Sequence, residues 1–73
     1  MKMPPKKLLD ALNDNKNSIY VWVPINATDR QSIRVSFAEA MEWVIQVSKR
    51  HNGNVPCTIG ANVVFLGYRH YDL

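Results

Sequence analysis

Seven residues, IYVWVPI from Ile19 to Ile25, constrain this chain more than any others. Successive side chains of an extended strand point to opposite faces, so Ile19, Val21, Val23 and Ile25 share one side while Tyr20, Trp22 and Pro24 share the other. Both sides are apolar. A sheet built on such a strand needs cover over each face, or it leaves one face for something else. How much cover the rest of the chain supplies therefore decides what it can be.

The main cover begins at Ser36-Phe37-Ala38-Glu39. Serine followed by glutamate three residues later, just before an apolar-periodic run, is a capping box that starts a helix. At about 100° per residue, Phe37, Ala40, Met41, Val44 and Val47 form a central stripe bordered by Trp43 and Ile45, with Glu39, Glu42, Gln46, Lys49 and Arg50 opposite. Lys49 and Arg50 suit the negative end of the helix dipole, and Asn52-Gly53 provides a left-handed stop. A second, shorter helix is predicted in KKLLDALND, after Pro4-Pro5, with Leu8, Leu9 and Leu12 on one side. Isolated helices below ~12 residues are marginal in water, so this one must dock or fray. The polar string from Asn13 to Asn17 reads as a loop. Residues 1–17 are accordingly set apart from a single domain over 18–73.

Strand patterns flank the long helix. NATDRQ turns IYVWVPI into SIRVS, and Gly60-Ala61 separates VPCTI from NVVFLGYRHY, the turn calling for positive φ at its first position. The fold class expected is α+β: a β-β-α-β-β antiparallel sheet with the long helix on one face and the short helix before it. Because proline cannot donate to a central ladder, Pro24 and Pro56 place the first and third strands at the edges, in order 1-2-4-3. With Val23 opposite Ile33, Trp22 would lie opposite Arg34, within reach of a cation–π contact. The uncovered face would then carry Tyr20, Trp22 and Arg34, with aromatics of the fourth strand.

Composition narrows the function. At 73 residues, 47% hydrophobic and 21% charged, the chain has the make-up of one globular domain with a thin core. No apolar run approaches the ~20 residues that span a bilayer, and MKMPPKK lacks a signal peptide's apolar segment, so no membrane role and a cytoplasmic location are expected. One cysteine cannot form an internal disulfide, which agrees with that location. The net charge of +3 is spread along the chain, without the like-charge block of a nucleic-acid tail. Asn26-Ala27-Thr28 matches a glycosylation acceptor by chance.

Chemistry-bearing residues are sparse. Cys57, His51 and His70 fit no nucleophilic or metal-ligand spacing. Cys57 is expected as a small buried hydrophobe, His51 as a cap or dipole partner on the apolar side of the last helical turn, and His70 as a packing or contact residue. The three glycines are scattered rather than gathered in a phosphate loop, and Glu39 and Glu42 lie on the solvated helix face. No catalytic residue, metal or cofactor is therefore assigned, and no enzyme is expected. The aromatic and arginine content of the open face points to a protein partner, through Tyr20, Trp22, Arg34, Tyr68, Arg69 and Tyr71. The expected role is steric, that of a small inhibitor or accessory protein on a larger complex, akin in size to those of phages and mobile elements. Pairing of two copies through the same face is a further expectation. Single-stranded nucleic acid is the alternative ligand, since open aromatics framed by arginine can stack bases.

Overall fold

Ser36 starts the long helix as its capping box requires: its Oγ accepts from the Glu39 N–H at 3.1 Å. In the computed structural model, which describes residues 3–68, the elements run α1 (Lys6–Asp14), β1 (Ile19–Pro24), β2 (Arg30–Arg34), α2 (Phe37–Arg50), β3 (Cys57–Ile59) and β4 (Val64–Tyr68). Helix α2 ends as the sequence predicts. Asn52 takes φ 57° and Gly53 φ 92°, and the Gly53 N–H returns to the Ser48 carbonyl at 2.8 Å, satisfying a terminal acceptor. His51 is the C-cap, its backbone N–H donating to the Val47 carbonyl. The residue is exposed, and its place as C-cap agrees with the cap role expected of it.

The β1–β2 turn is built by one side chain. Asn26 Oδ1 accepts from the N–H groups of Thr28 and Asp29, at 2.9 and 2.8 Å, and Asn26 Nδ2 donates to Asp29 Oδ2. An asparagine that replaces a backbone acceptor in this way stabilises a tight turn. The β3–β4 turn differs from expectation. Gly60 donates to the Val63 carbonyl at 2.8 Å without entering the positive-φ region, which among the described residues is occupied by Asn52 and Gly53.

The fold is α+β, with two helices and a four-stranded sheet, but the sheet is mixed and its order is β2-β1-β4-β3. Strands β1 and β4 run parallel in the middle, and each carries an antiparallel hairpin partner at an edge. This corrects the purely antiparallel order 1-2-4-3. Side-chain character fits this order: β1 and β4 are apolar on both faces, whereas β2 is mostly polar and β3 has three residues, and both are exposed throughout. Strands that are apolar on both faces belong in the centre.

Pro24 does not prevent this. The Val35 N–H donates to the Ile19 carbonyl at 3.0 Å and the Ile25 N–H to the Asp29 carbonyl at 2.9 Å. Odd-numbered residues of β1 thus turn their backbone groups toward β2, and even-numbered ones, Pro24 among them, toward β4. Among the described residues the last β1–β4 pair is Trp22 and Tyr68, and Pro24, two residues further on, lies beyond the described pairs. Pro56 precedes β3, which among the described residues is an edge strand.

One core lies between the sheet and both helices. Ile19, Val21, Val64 and Leu66 from the central strands meet Leu8 and Leu12 of α1 and Ala40 and Val44 of α2. Leu12, Val44 and Leu66 are 0% exposed. The stripe expected on α2 faces inward, with Phe37, Met41 and Trp43 packed at its margin, while Ile45 stays exposed. Asn15 secures the end of α1 by donating from Nδ2 to the Ala11 carbonyl at 2.9 Å. Among the described residues no helix is long and apolar enough to cross a membrane.

Candidate binding face

The alternation that sends Ile19 and Val21 into the core sends Tyr20 and Trp22 to the opposite face. Register then adds a third ring. Phe65 of β4 lies opposite Tyr20, and its ring stacks against both Tyr20 and Trp22, each at a centroid distance of 5.6 Å with interplanar angles of 29° and 21°. These rings form a row across the two central strands. All three are half-buried, and both helices contribute instead to the core behind them.

Strand β2 supplies the charge. Tyr20 faces Arg34, Trp22 faces Ser32 and Pro24 faces Arg30, so side chains at 30, 32 and 34 share the aromatic side. The expected pairing of Trp22 with Arg34 is corrected by a register shift of two residues. Arg30 takes that place, its Cζ lying 6.0 Å from the centroid of the Trp22 ring. Arg34 remains on the same face, beside Tyr20 rather than Trp22. Six residues from four strands, Arg30, Arg34, Trp22, Tyr20, Phe65 and Thr58, thereby form a patch with an aromatic centre and a cationic side. An open groove next to Trp22 runs on toward Pro56, Cys57 and Thr58.

Of the residues expected at the site, Tyr20, Trp22 and Arg34 are brought together. Tyr68 is placed by its backbone opposite Trp22, where the β1–β4 register shifts between Val21 and Trp22. Arg69 and Tyr71, like His70, lie outside the described residues. Phe65 and Arg30 were not expected at the site. Once Val64 and Leu66 are known to face the helices, Phe65 must face away. Because the fourth strand is apolar on both sides, its pattern does not say which side that is.

Gly67 permits the close packing at the end of the groove. A Cβ there would come within 2.8 Å of Pro56 Cγ and 2.9 Å of its Cβ, and the Gly67 N–H donates to the Pro56 carbonyl at 2.8 Å. Cys57, expected to be buried, is exposed on the edge strand. Its backbone partner Leu66 is a core residue, yet cover does not extend to β3. Partial desolvation by burial still raises the Cys57 thiol pKa, which disfavours the nucleophilic thiolate.

A separate cleft between α2 and the sheet has Val21, Val35, Ala40 and Leu66 as its floor, with Trp43 as a wall and Glu39 and Glu42 at its rim. The floor is already sealed, Val35 being the most exposed of the four at 8%. A ligand would gain less new apolar contact there than over three half-buried rings. Comparison with protein-family models, curated proteins and solved structures gave no match.

Proposed function

We propose that this protein is a non-catalytic protein-binding module that acts sterically, as a small inhibitor or accessory protein on a larger complex. The observation that carries the reading is the stacked row Tyr20–Phe65–Trp22, half-buried on the sheet face opposite both helices. Rigid aromatic side chains lose little conformational freedom on binding, and with arginine they dominate interface centres. A partner pocket filled by Trp22 and Phe65 would exclude any other ligand of that pocket. Arg30 and Arg34 would speed association more than they strengthen it.

The test is quantitative capture of a partner from the source cell, using wild-type protein and Trp22→Ala in parallel, followed by affinity measurement with the purified pair. Loss of a hot-spot aromatic weakens such complexes by about tenfold or more, at ~2 kcal/mol. Equal affinity of the two proteins would end this reading. Light scattering at micromolar concentration separates a heterologous partner from a second copy seated on the same face.

Single-stranded nucleic acid is the second reading, supported by the arginine over Trp22. It requires quenching of tryptophan fluorescence by an oligonucleotide, with affinity falling steeply as salt rises. A protein partner held through the aromatic row shows little such dependence.

A further inference from the structure

We infer that the outer edge of β2 is a strand-addition site for an extended segment of a partner protein that carries acidic residues at alternate positions. This deepens the proposed binding role and rests on it. Strand β2 pairs with β1 on one side and, among the described residues, is the last strand of the sheet on the other. Just past β2 the Val35 N–H donates to the Ile19 carbonyl, and within it Ile33 lies opposite Val21, so odd-numbered residues spend their backbone groups on β1. Even-numbered residues 30, 32 and 34 turn theirs outward. All five residues of the strand are exposed.

The same alternation defines the partner. A residue that pairs with Arg30, Ser32 or Arg34 through the backbone presents its side chain on their face of the sheet, beside the aromatic row. Carboxylates four residues apart would meet Arg30 and Arg34. On the other face the intervening positions of the added strand would meet Gln31 and Ile33, of which Ile33, 37% exposed, offers an apolar contact. An acidic–apolar alternation fits both.

A second copy of this chain does not. Antiparallel pairing of two β2 strands about Ser32 would set each Arg30 opposite the Arg34 of the other copy, and like charges directly opposed destabilise a strand pair. The opposite edge is a poorer template, because β3 has three residues, follows Pro56 and has α1 beside it.

The experiment is an amide NMR titration of the whole protein with a heptapeptide of alternating glutamate and valine, beside its lysine and valine counterpart. The glutamate peptide is expected to shift the amides of Ser32 and Arg34 and to slow their hydrogen exchange, and the lysine peptide is expected to leave them unchanged. Ser32→Pro removes one outward N–H at an edge position that tolerates proline, and should weaken binding about tenfold. The double variant Arg30→Glu and Arg34→Glu should exchange the two preferences. Unmoved β2 amides at millimolar glutamate peptide, or equal response to both peptides, would overturn the inference. Shifts confined to Tyr20, Trp22 and Phe65 would also overturn it and leave the aromatic-face reading intact, whereas that reading fails by its own measure, an unaltered partner affinity in Trp22→Ala.

Discussion

The two faces of β1 and β4 are close to equally apolar in sequence, yet they have different fates. Ile19, Val64 and Leu66 are 0% exposed beneath the helices, whereas Tyr20, Trp22 and Phe65, one position away along the same strands, are half-buried. The residue types differ as well: β-branched and aliphatic side chains fill the core, and aromatic rings stack with one another on the other side. Hydrophobicity alone therefore does not place a residue in a core. What distinguishes the faces is the supply of cover, and the two helices cover one of them. Even there the cover is partial, since Ile25, which shares a side with Val21, is 60% exposed.

The sharpest way to break this comparison is to remove matched side chains from each face. Leu66→Ala should destabilise the fold by ~2–5 kcal/mol in denaturant melts, because it removes transfer free energy and leaves a cavity among packed neighbours. Phe65→Ala, one residue away, should cost less than half as much despite deleting a larger group. If the two losses are equal, the aromatic row belongs to the folding core and is not a surface held open for a partner.

Gly67→Ala probes the boundary between the faces. Its Cβ would press on the Pro56 ring, which cannot swing aside, so β3 and β4 must separate slightly. A loss of ~1–3 kcal/mol is expected, accompanied in NMR spectra by shifts at Cys57 and Thr58. Unchanged stability would mean that the β3 end of the sheet is already loose. The smallest effect is chemical. Burial raises the thiol pKa of Cys57, which lowers the thiolate fraction at any given pH, so alkylation followed against pH should show a midpoint above that of free cysteine. A midpoint below it would point to a cationic neighbour and reopen the question of reactivity.

Much of the local structure was legible. Ser36 and Glu39 marked the start of α2, Asn52-Gly53 marked its end, and the inward stripe followed from a period of 3.6 residues. Pairing was less so. A register shift of two residues leaves every side chain on its own face, so the pattern that puts Trp22 and an arginine together could not choose between Arg30 and Arg34. Pro24 misled in a specific way. Proline forbids one donor on one side of a strand, and the pattern of side chains does not reveal which neighbour lies on that side or where its ladder ends. Phe65 was hidden for a related reason, since a strand apolar on both sides does not announce its orientation.

The amino-acid sequence by itself determined which segments are helix and strand, where α2 begins and ends, and which residues of β1 share a side. These properties depend on backbone preferences and on side-chain period, which act over a few residues. Strand order, the parallel pairing of β1 with β4 and the choice of face left open were decided by the tertiary structure. They arise from contacts between segments distant along the chain, where the two helices covered one apolar surface and left the aromatic one at the boundary with solvent.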